Sequence, residues 1–412
     1  MKLKKTILFA ILFGLLSMNL SYAIVDKKVS ENDNNIQENE ITEYNNDIHS
    51  VFSLEDCVNI AIKNNPQIQS ALYNEAVYKT KIGQAWANYF PKLSAGVQGE
   101  YQNIHASKNN YYASTRGSGF NTSVSGDMLL FDFGKTKATA DSAKRTYESK
   151  QEDTKENINT IIYDIKSTYF NILFAQAQVK VYEDTVADYE LQLKQAWGFY
   201  NIGKKAKIDV VTAEYNLGKA KLNLVKAKNV LLVANVQLSK IMGIPEYTNF
   251  ELSDKLSTKL YNIEIEDAIQ TAYSVRPELI SAQKKVDSAK MTLRAQKRDY
   301  TPDLGFFAGY GYGSEAKLSS TQVGVGLNYN GLNIAKIKKK VDEAKASYKK
   351  SMADYDDVKN TVYLNVKKNY MNLETAKEEI TIAKLSLDQA QEQYRQVTGR
   401  YKSGIGDAIE LK

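Results

Sequence analysis

The sequence predicts an α+β membrane protein: a duplicated repeat in which each copy supplies two membrane-length β-strands and long α-helical coiled-coil hairpins. Three observations carry that expectation. The 412-residue chain repeats itself at an offset of about 200 positions, its apolar period changes from helical to alternating at the same point in both copies, and long proline-free heptad stretches follow each change.

The first 23 residues stand outside this plan. They combine a basic start (Lys2, Lys4, Lys5), an apolar run from about Ile7 to Leu16, and small residues at Ser21 and Ala23, the pattern of a cleavable secretory signal. The apolar run is shorter than the roughly 20 residues a spanning helix needs. Removing its three lysines takes the formal charge from +6 to +3, too balanced to favour a nucleic-acid partner. Residues 24–50, rich in Asn and Glu with little periodicity, read as a flexible leader. Cys57 is the one cysteine, and with only His49 and His105 beside it no Cys/His zinc cage can be built, so no cofactor is implied. The chain has no G-x-S-x-G elbow, no Walker loop and no H-E-x-x-H, which argues against an enzyme.

The duplication is visible residue by residue. "LEDCVNIAIKNNP" (Leu54 to Pro66) aligns with "IEDAIQTAYSVRP" (Ile265 to Pro277) at offset 211, and Pro91 in "YFPKLS" meets Pro302 in "YTPDLG" at the same offset. Further on, "STYFNI" (from Ser167) and "KNYMNL" (from Lys368) align at 201, as do the segments ending at Gly203 and Gly404. The expected layout is a first repeat over 51–245, a linker over 246–264 and a second repeat over 265–412. Pro66 and Pro277 then mark one structural position, the first turn of a new helix. Cys57 falls opposite Ala268, which favours a small-residue packing role over a reactive thiol.

Past Pro91 and Pro302 the period becomes two. Leu93, Ala95, Val97 and Tyr101 alternate with Ser94, Gln98 and Glu100; Phe120, Val124 and Met128 alternate with Asn121, Ser123, Ser125 and Asp127. In the second repeat Leu304, Phe306, Ala308, Tyr310 and Tyr312 alternate mostly with glycine, and Val323, Val325, Leu327 and Tyr329 with Gln322, Gly324, Gly326 and Asn328. Strands are expected at about 92–104, 119–132, 303–313 and 321–330, near the length that crosses a bilayer when tilted. Tyr89, Phe90, Tyr101, Phe131, Phe133, Tyr312 and Tyr329 suit interfacial girdles, although aromatic residues are also ordinary strand residues. His105 to Ser118 reads as an extracellular loop.

From Gly134 to Tyr200 no proline interrupts 67 residues, enough for a helix of roughly 100 Å. Apolar or small residues recur at Ile172, Ala175, Val179, Tyr182, Val186, Tyr189, Leu193, Ala196 and Tyr200, and in the same register from Leu373 to Tyr401. After a turn at Asn201 to Asp209, Val210, Ala213, Leu217, Ala220, Leu224, Ala227, Leu231, Ala234, Leu238 and Ile241 give a strict heptad seam, which predicts a left-handed coiled-coil hairpin. The second repeat reaches Lys412 where the counterpart of this return helix would begin, which reads either as a fragment truncated there or as a repeat without its final helix.

Four strands cannot close a barrel, and open edges are not tolerated in lipid. Several chains must share one barrel: eight strands from two chains would be filled by side chains, whereas twelve from three leave a passage.

The duplicated "NP" and "RP" helix starts, the prolines before the strands, "LLFDFGK" (Leu129 to Lys135) leading into a long helix, and "GRYKSGIGDAIEL" (Gly399 to Leu411) together resemble the TolC-like outer membrane factor family over about residues 51–412. The resemblance implies a homotrimeric channel in the bacterial outer membrane, with a twelve-stranded barrel in its lipid and an α-helical tunnel in the periplasm. It implies an exit duct for multidrug efflux or type I secretion. The implied partners are a periplasmic adaptor (membrane fusion) protein and an inner-membrane transporter of the resistance-nodulation-division or ABC type. On the same resemblance Asp209 and Glu410, each six residues after a tip glycine, fall at positions similar to gate-region acids, and Gly203, Lys204, Lys205 and Gly404 at the adaptor-contacting tip. Each acid also suits a plain solvated helix start. Gly406 stands where some relatives place a gate arginine, so a latch through that salt bridge is not expected. The competing reading is a secreted coiled-coil spacer or adhesin, which explains the heptads but has no use for four matched strands.

Overall fold

The computed structural model describes residues 50–104, 115–245, 250–254, 256, 261–314, 318–329 and 333–402. In chain order they form β1 (Ser50–Phe52), α1 (Leu54–Asn64), α2 (Pro66–Trp86), β2 (Lys92–Ile104), β3 (Thr115–Phe131), α3 (Lys135–Asn201) and α4 (Lys207–Met242). There follow β4 (Phe250–Leu252), α5 (Ile265–Val275), α6 (Pro277–Lys297), β5 (Asp303–Gly313), β6 (Leu318–Asn328) and α7 (Ile334–Lys402). The signal segment and almost all of the leader lie outside the described residues. Two units are distinguished: a small one of Met1–Val51 with Asn249–Glu251, and a large one holding the rest. In the small unit the described residues belong to the β1–β4 ladder.

In the large unit one antiparallel sheet runs in the order β2-β3-β5-β6. The helices follow the same lateral order, with α2 packed on α3, α3 on α6 and α6 on α7. The reason is connectivity: α2 leads into β2 and α3 leaves β3, while α6 leads into β5 and α7 leaves β6. The two repeats are therefore fused side by side, joined by β3–β5 in the sheet and α3–α6 in the helical layer.

Local sequence accounts for the helix starts. Ser53 and Asp56 form a reciprocal capping box on α1. Asn65 caps α2 through Oδ1, which accepts from the Gln67 and Ile68 amides at 2.7 and 3.3 Å, with Pro66 as the first helical residue. Pro277 occupies the same first position in α6, but its cap residue, Arg276, contributes no side-chain bond. A buried core lies where α1, α3 and α4 meet: Cys57, Ile165, Tyr169, Ile172, Leu238 and Met242 are fully buried there. Each such aliphatic side chain contributes roughly 1.5–3 kcal/mol.

Several expected boundaries move. β3 begins at Thr115 rather than 119 and ends at Phe131 rather than 132; β6 spans 318–328 rather than 321–330. The early residues, "TRGS" and "LSS", show no clear alternation, yet backbone pairing continues through them to Ile104↔Thr115 and Gly313↔Leu318. The expected linker 246–264 contains β4, and Ser50 of the expected leader belongs to β1. The heptad seam of α4 is buried or half-buried at every position from Val210 to Ile241. The α7 seam, which is the second-repeat counterpart of the α3 seam, is open in places: Leu387 and Tyr394 are 56% and 65% exposed. Among the described residues no helix is long and apolar enough to cross a membrane.

Candidate functional site

The sheet separates its side chains into two chemically distinct faces. The register places Leu93, Ala95, Val97 and Tyr101 of β2, Phe120, Val124 and Met128 of β3, Leu304, Phe306, Ala308, Tyr310 and Tyr312 of β5, and Val323, Val325 and Leu327 of β6 on one side. Most of these side chains are exposed although large and apolar. The other side carries Ser94, Gln98 and Glu100, then Asn121, Ser123, Ser125 and Asp127, then the glycines of β5 and Ser320, Gln322, Gly324, Gly326 and Asn328 of β6. At about 3.3 Å per residue and the usual barrel tilt, 11 residues span about 25–30 Å of height, the apolar thickness of an outer membrane. Exposed Phe90, Phe131, Phe133 and Tyr329 gather where the strands meet the helices, and Tyr101, Phe120, Tyr310 and Tyr312 lie towards the opposite end. Among the described residues no further strand pairs with the outer edges of β2 and β6.

Below the sheet, "LLFDFGK" makes the turn from β3 into α3. Phe133 and Gly134 take positive φ of 53° and 86°, and buried Asp132 holds them in place. Its carboxylate accepts from Tyr89 Oη at 2.8 Å and from the Gly134 and Thr136 amides at 3.0 and 2.6 Å. Burial alone would raise its pKa. The bonds from Thr136, Tyr89 and Gly134 outweigh burial and hold it below the ordinary carboxylate value. The same environment, burial first and then Asp132, pushes the Tyr89 phenol up to about 12. Asn333 is the offset-201 counterpart and caps α7 with a single bond to the Lys336 amide at 3.2 Å. Lys135 then reaches Asp299 at 2.6 Å, tying α3 to the turn that precedes β5.

Pro91 and Pro302 stand immediately before β2 and β5. Pro66 sits at a corner that the sequence does not show. Asn65 Nδ2 donates to the Ile241 carbonyl at 2.7 Å, and a Cβ on Gly243, whose φ is +77°, would lie 2.5 Å from the Asn64 carbonyl oxygen. The end of α4 is thus clamped against the α1–α2 corner. At the far end of α3, Gly203 (φ +73°) closes the helix. The Gly203 amide donates to Tyr200 O at 2.9 Å and the Lys204 amide to Phe199 O at 2.9 Å, the pattern of a glycine C-cap. Lys204 and Lys205 are exposed, and the Lys205 ammonium lies 5.9 Å from the Phe199 ring. Asp209 accepts the Ala206 amide at 3.1 Å through Oδ2 and so caps α4. Gly404 and Glu410 lie outside the described residues. Among the described residues no cluster of His, Cys, Asp or Glu could hold a metal ion.

The family described as "Outer membrane efflux protein" matches residues 57–244 and 268–412. The chain belongs to the outer membrane efflux protein family. The match falls in two blocks, one inside 51–245 and one inside 265–412. A family of outer-membrane exit ducts places the protein in that membrane and among conduits rather than enzymes. Similar proteins include the probable efflux pump outer membrane protein TtgC of Pseudomonas putida, 20% identical over 86% of this chain and 75% of that protein. Escherichia coli TolC is 21% identical over 84% of this chain and 73% of its own. The alkaline protease secretion protein AprF of Pseudomonas aeruginosa is 24% identical over 47% and 40%. Among solved structures, the CmeC outer membrane channel of Campylobacter jejuni superposes with a TM-score of 0.73 at 16% identity, over 87% of this chain and 78% of that one. VceC of Vibrio cholerae gives 0.71 at 14%, over 87% and 88%.

Proposed function

We propose that three copies of this chain share one twelve-stranded barrel in the outer membrane, and that their helices continue it as a periplasmic tunnel through which efflux or secretion substrates leave the cell. The observation that carries the reading is the sheet: one apolar face of bilayer height, one polar glycine-rich face, and two outer edges to which no further strand pairs among the described residues. In lipid those edges must be closed by other chains, and β6 of one protomer against β2 of the next closes them without a new fold. Four strands per chain in three chains give a barrel wide enough to conduct, whereas two chains would give a filled one.

At the other end, the tip turn at Gly203, Lys204 and Lys205 and its second-repeat counterpart at Gly404 are the surfaces offered to a periplasmic adaptor, which would link the duct to an inner-membrane transporter. Asp209 and Glu410 are the acids proposed to line the gate. The relatives span drug and solvent efflux and protease secretion, so the transporter is of either the resistance-nodulation-division or the ABC type.

The test is the native mass of protein extracted from an outer-membrane fraction, followed by planar-bilayer recording. Three chains per particle and stepwise conductance are expected. A soluble monomer with no conductance would instead favour the coiled-coil spacer.

A further inference from the structure

The polar face of the sheet holds one aromatic ring, Phe307, in surroundings unlike the rest of that wall. Phe307 pairs with Asp127 on β3 and with Gly324 on β6, and all three share a face. A Cβ at Gly324 would lie 2.7 Å from Phe307 Cζ, and one at Gly326 would lie 3.7 Å from Cε1. The ring therefore lies across the backbone of two glycines. Its neighbours on the same face of its own strand are Gly305 and Gly309. No side chain from those four positions covers the ring's other side, and Phe307 stays 41% exposed. The Asp127 carboxylate, also exposed, is the nearest charge in the same row, with Lys92 next beyond it on β2.

Covering glycine backbone with an aromatic ring stabilises a strand pair, and that explains the buried side of Phe307. It does not explain why the opposite side is left open beside a carboxylate. A cation is attracted to the face of an aromatic ring, and an adjacent carboxylate adds a second attraction for the same ligand. Elsewhere the described residues of the same wall carry carboxylates at Glu100 and Asp303 but no second ring, so the two attractions stand in one row only at Phe307 and Asp127.

We infer that Phe307 and Asp127 form a contact station on the channel wall for planar aromatic cations in transit, one per protomer. The inference rests on reading the polar face as the lumen. Binding at such an open site is weak, and a conduit requires that: enough attraction to draw solute in, too little to hold it.

The test uses the full chain in lipid nanodiscs with ethidium, a planar aromatic cation, followed by fluorescence anisotropy against empty discs. Saturable binding is expected for the parent protein. Phe307→Leu still covers the glycines but has no ring, and should weaken binding about fivefold, while Phe307→Tyr should retain it. Asp127→Asn should weaken it about threefold at low salt, with a smaller loss at high salt. Parent protein without saturable binding, or Phe307→Leu within about twofold of it, overturns the inference. The lumen reading is checked separately in the same discs, with a charged, membrane-impermeant thiol reagent on Ser125→Cys and Val124→Cys. Labelling of Ser125→Cys alone upholds that reading. Labelling of neither, or of Val124→Cys alone, overturns the reading and the inference with it.

Discussion

Asp132 shows how much a single buried carboxylate settles. It sits where a strand must become a helix, next to two residues with positive φ, and its three accepted hydrogen bonds fix that turn. Because its folded pKa is depressed, its contribution is fully present above the ordinary aspartate value of about 3.9 and is lost as pH falls through the folded value. Asp132→Asn keeps the shape and one acceptor but loses the charge, and should cost about 1–3 kcal/mol at neutral pH. Thermal unfolding of the detergent-extracted protein should show a lower midpoint for the variant at pH 7 and a shrinking gap below about pH 4. A gap constant from pH 7 to pH 3 would mean that the charge is not what holds the turn. None of this was legible in the sequence: the motif was visible, but Tyr89 lies 43 positions away, and only the fold brings the two together.

Element by element, the strands and the coiled-coil seam could be read in advance because both are written in apolar periodicity. The α3–α6 contact could not, because it is polar. Ser142 Oγ lies 3.0 Å from Ser288 Oγ and 2.8 Å from Thr292 Oγ1, Thr146 Oγ1 lies 2.8 Å from Ser288 Oγ, and Ser149 Oγ lies 3.0 Å from Ser281 Oγ. Ser281 also donates to Asp153, and Lys284 and Lys285 close the line against Glu148 and Asp153. The hydroxyl ladder itself is polar, so the faces that carry it read in the sequence like any solvated face. Its small side chains let two helix axes approach while satisfying their own hydrogen bonds. Ser281→Ala, at a position 1% exposed, leaves Ser149 and Asp153 each short of a partner and should cost about 1–2 kcal/mol. Ser281→Leu must in addition push the helices apart and should cost more. Chemical unfolding of both variants measures the order, and a leucine variant as stable as the parent would show that the contact has room to spare.

On the scale of the whole molecule, symmetry changes what a residue means. In one chain Asp209 is a helix cap, its Oδ2 accepting the Ala206 amide, and that role alone would explain an acid at a helix start. If Asp209 lines the gate as proposed, three chains around one axis would turn it into a ring of carboxylates that draws cations into the constriction and repels anions. The two roles separate by substitution. Asp209→Asn keeps an acceptor for the cap and removes the charge; Asp209→Ala removes both. If the ring lines the gate, both variants lower the cation-to-anion permeability ratio by about twofold or more, and the difference from the parent fades between 0.1 and 1 M salt as the screening length falls from about 10 to about 3 Å. If Asp209 is only a cap, Asp209→Asn conducts like the parent, and Asp209→Ala destabilises the start of α4 by about 1 kcal/mol without altering selectivity. Reversal potentials in a salt gradient, measured on all three proteins, decide between the gate and the cap.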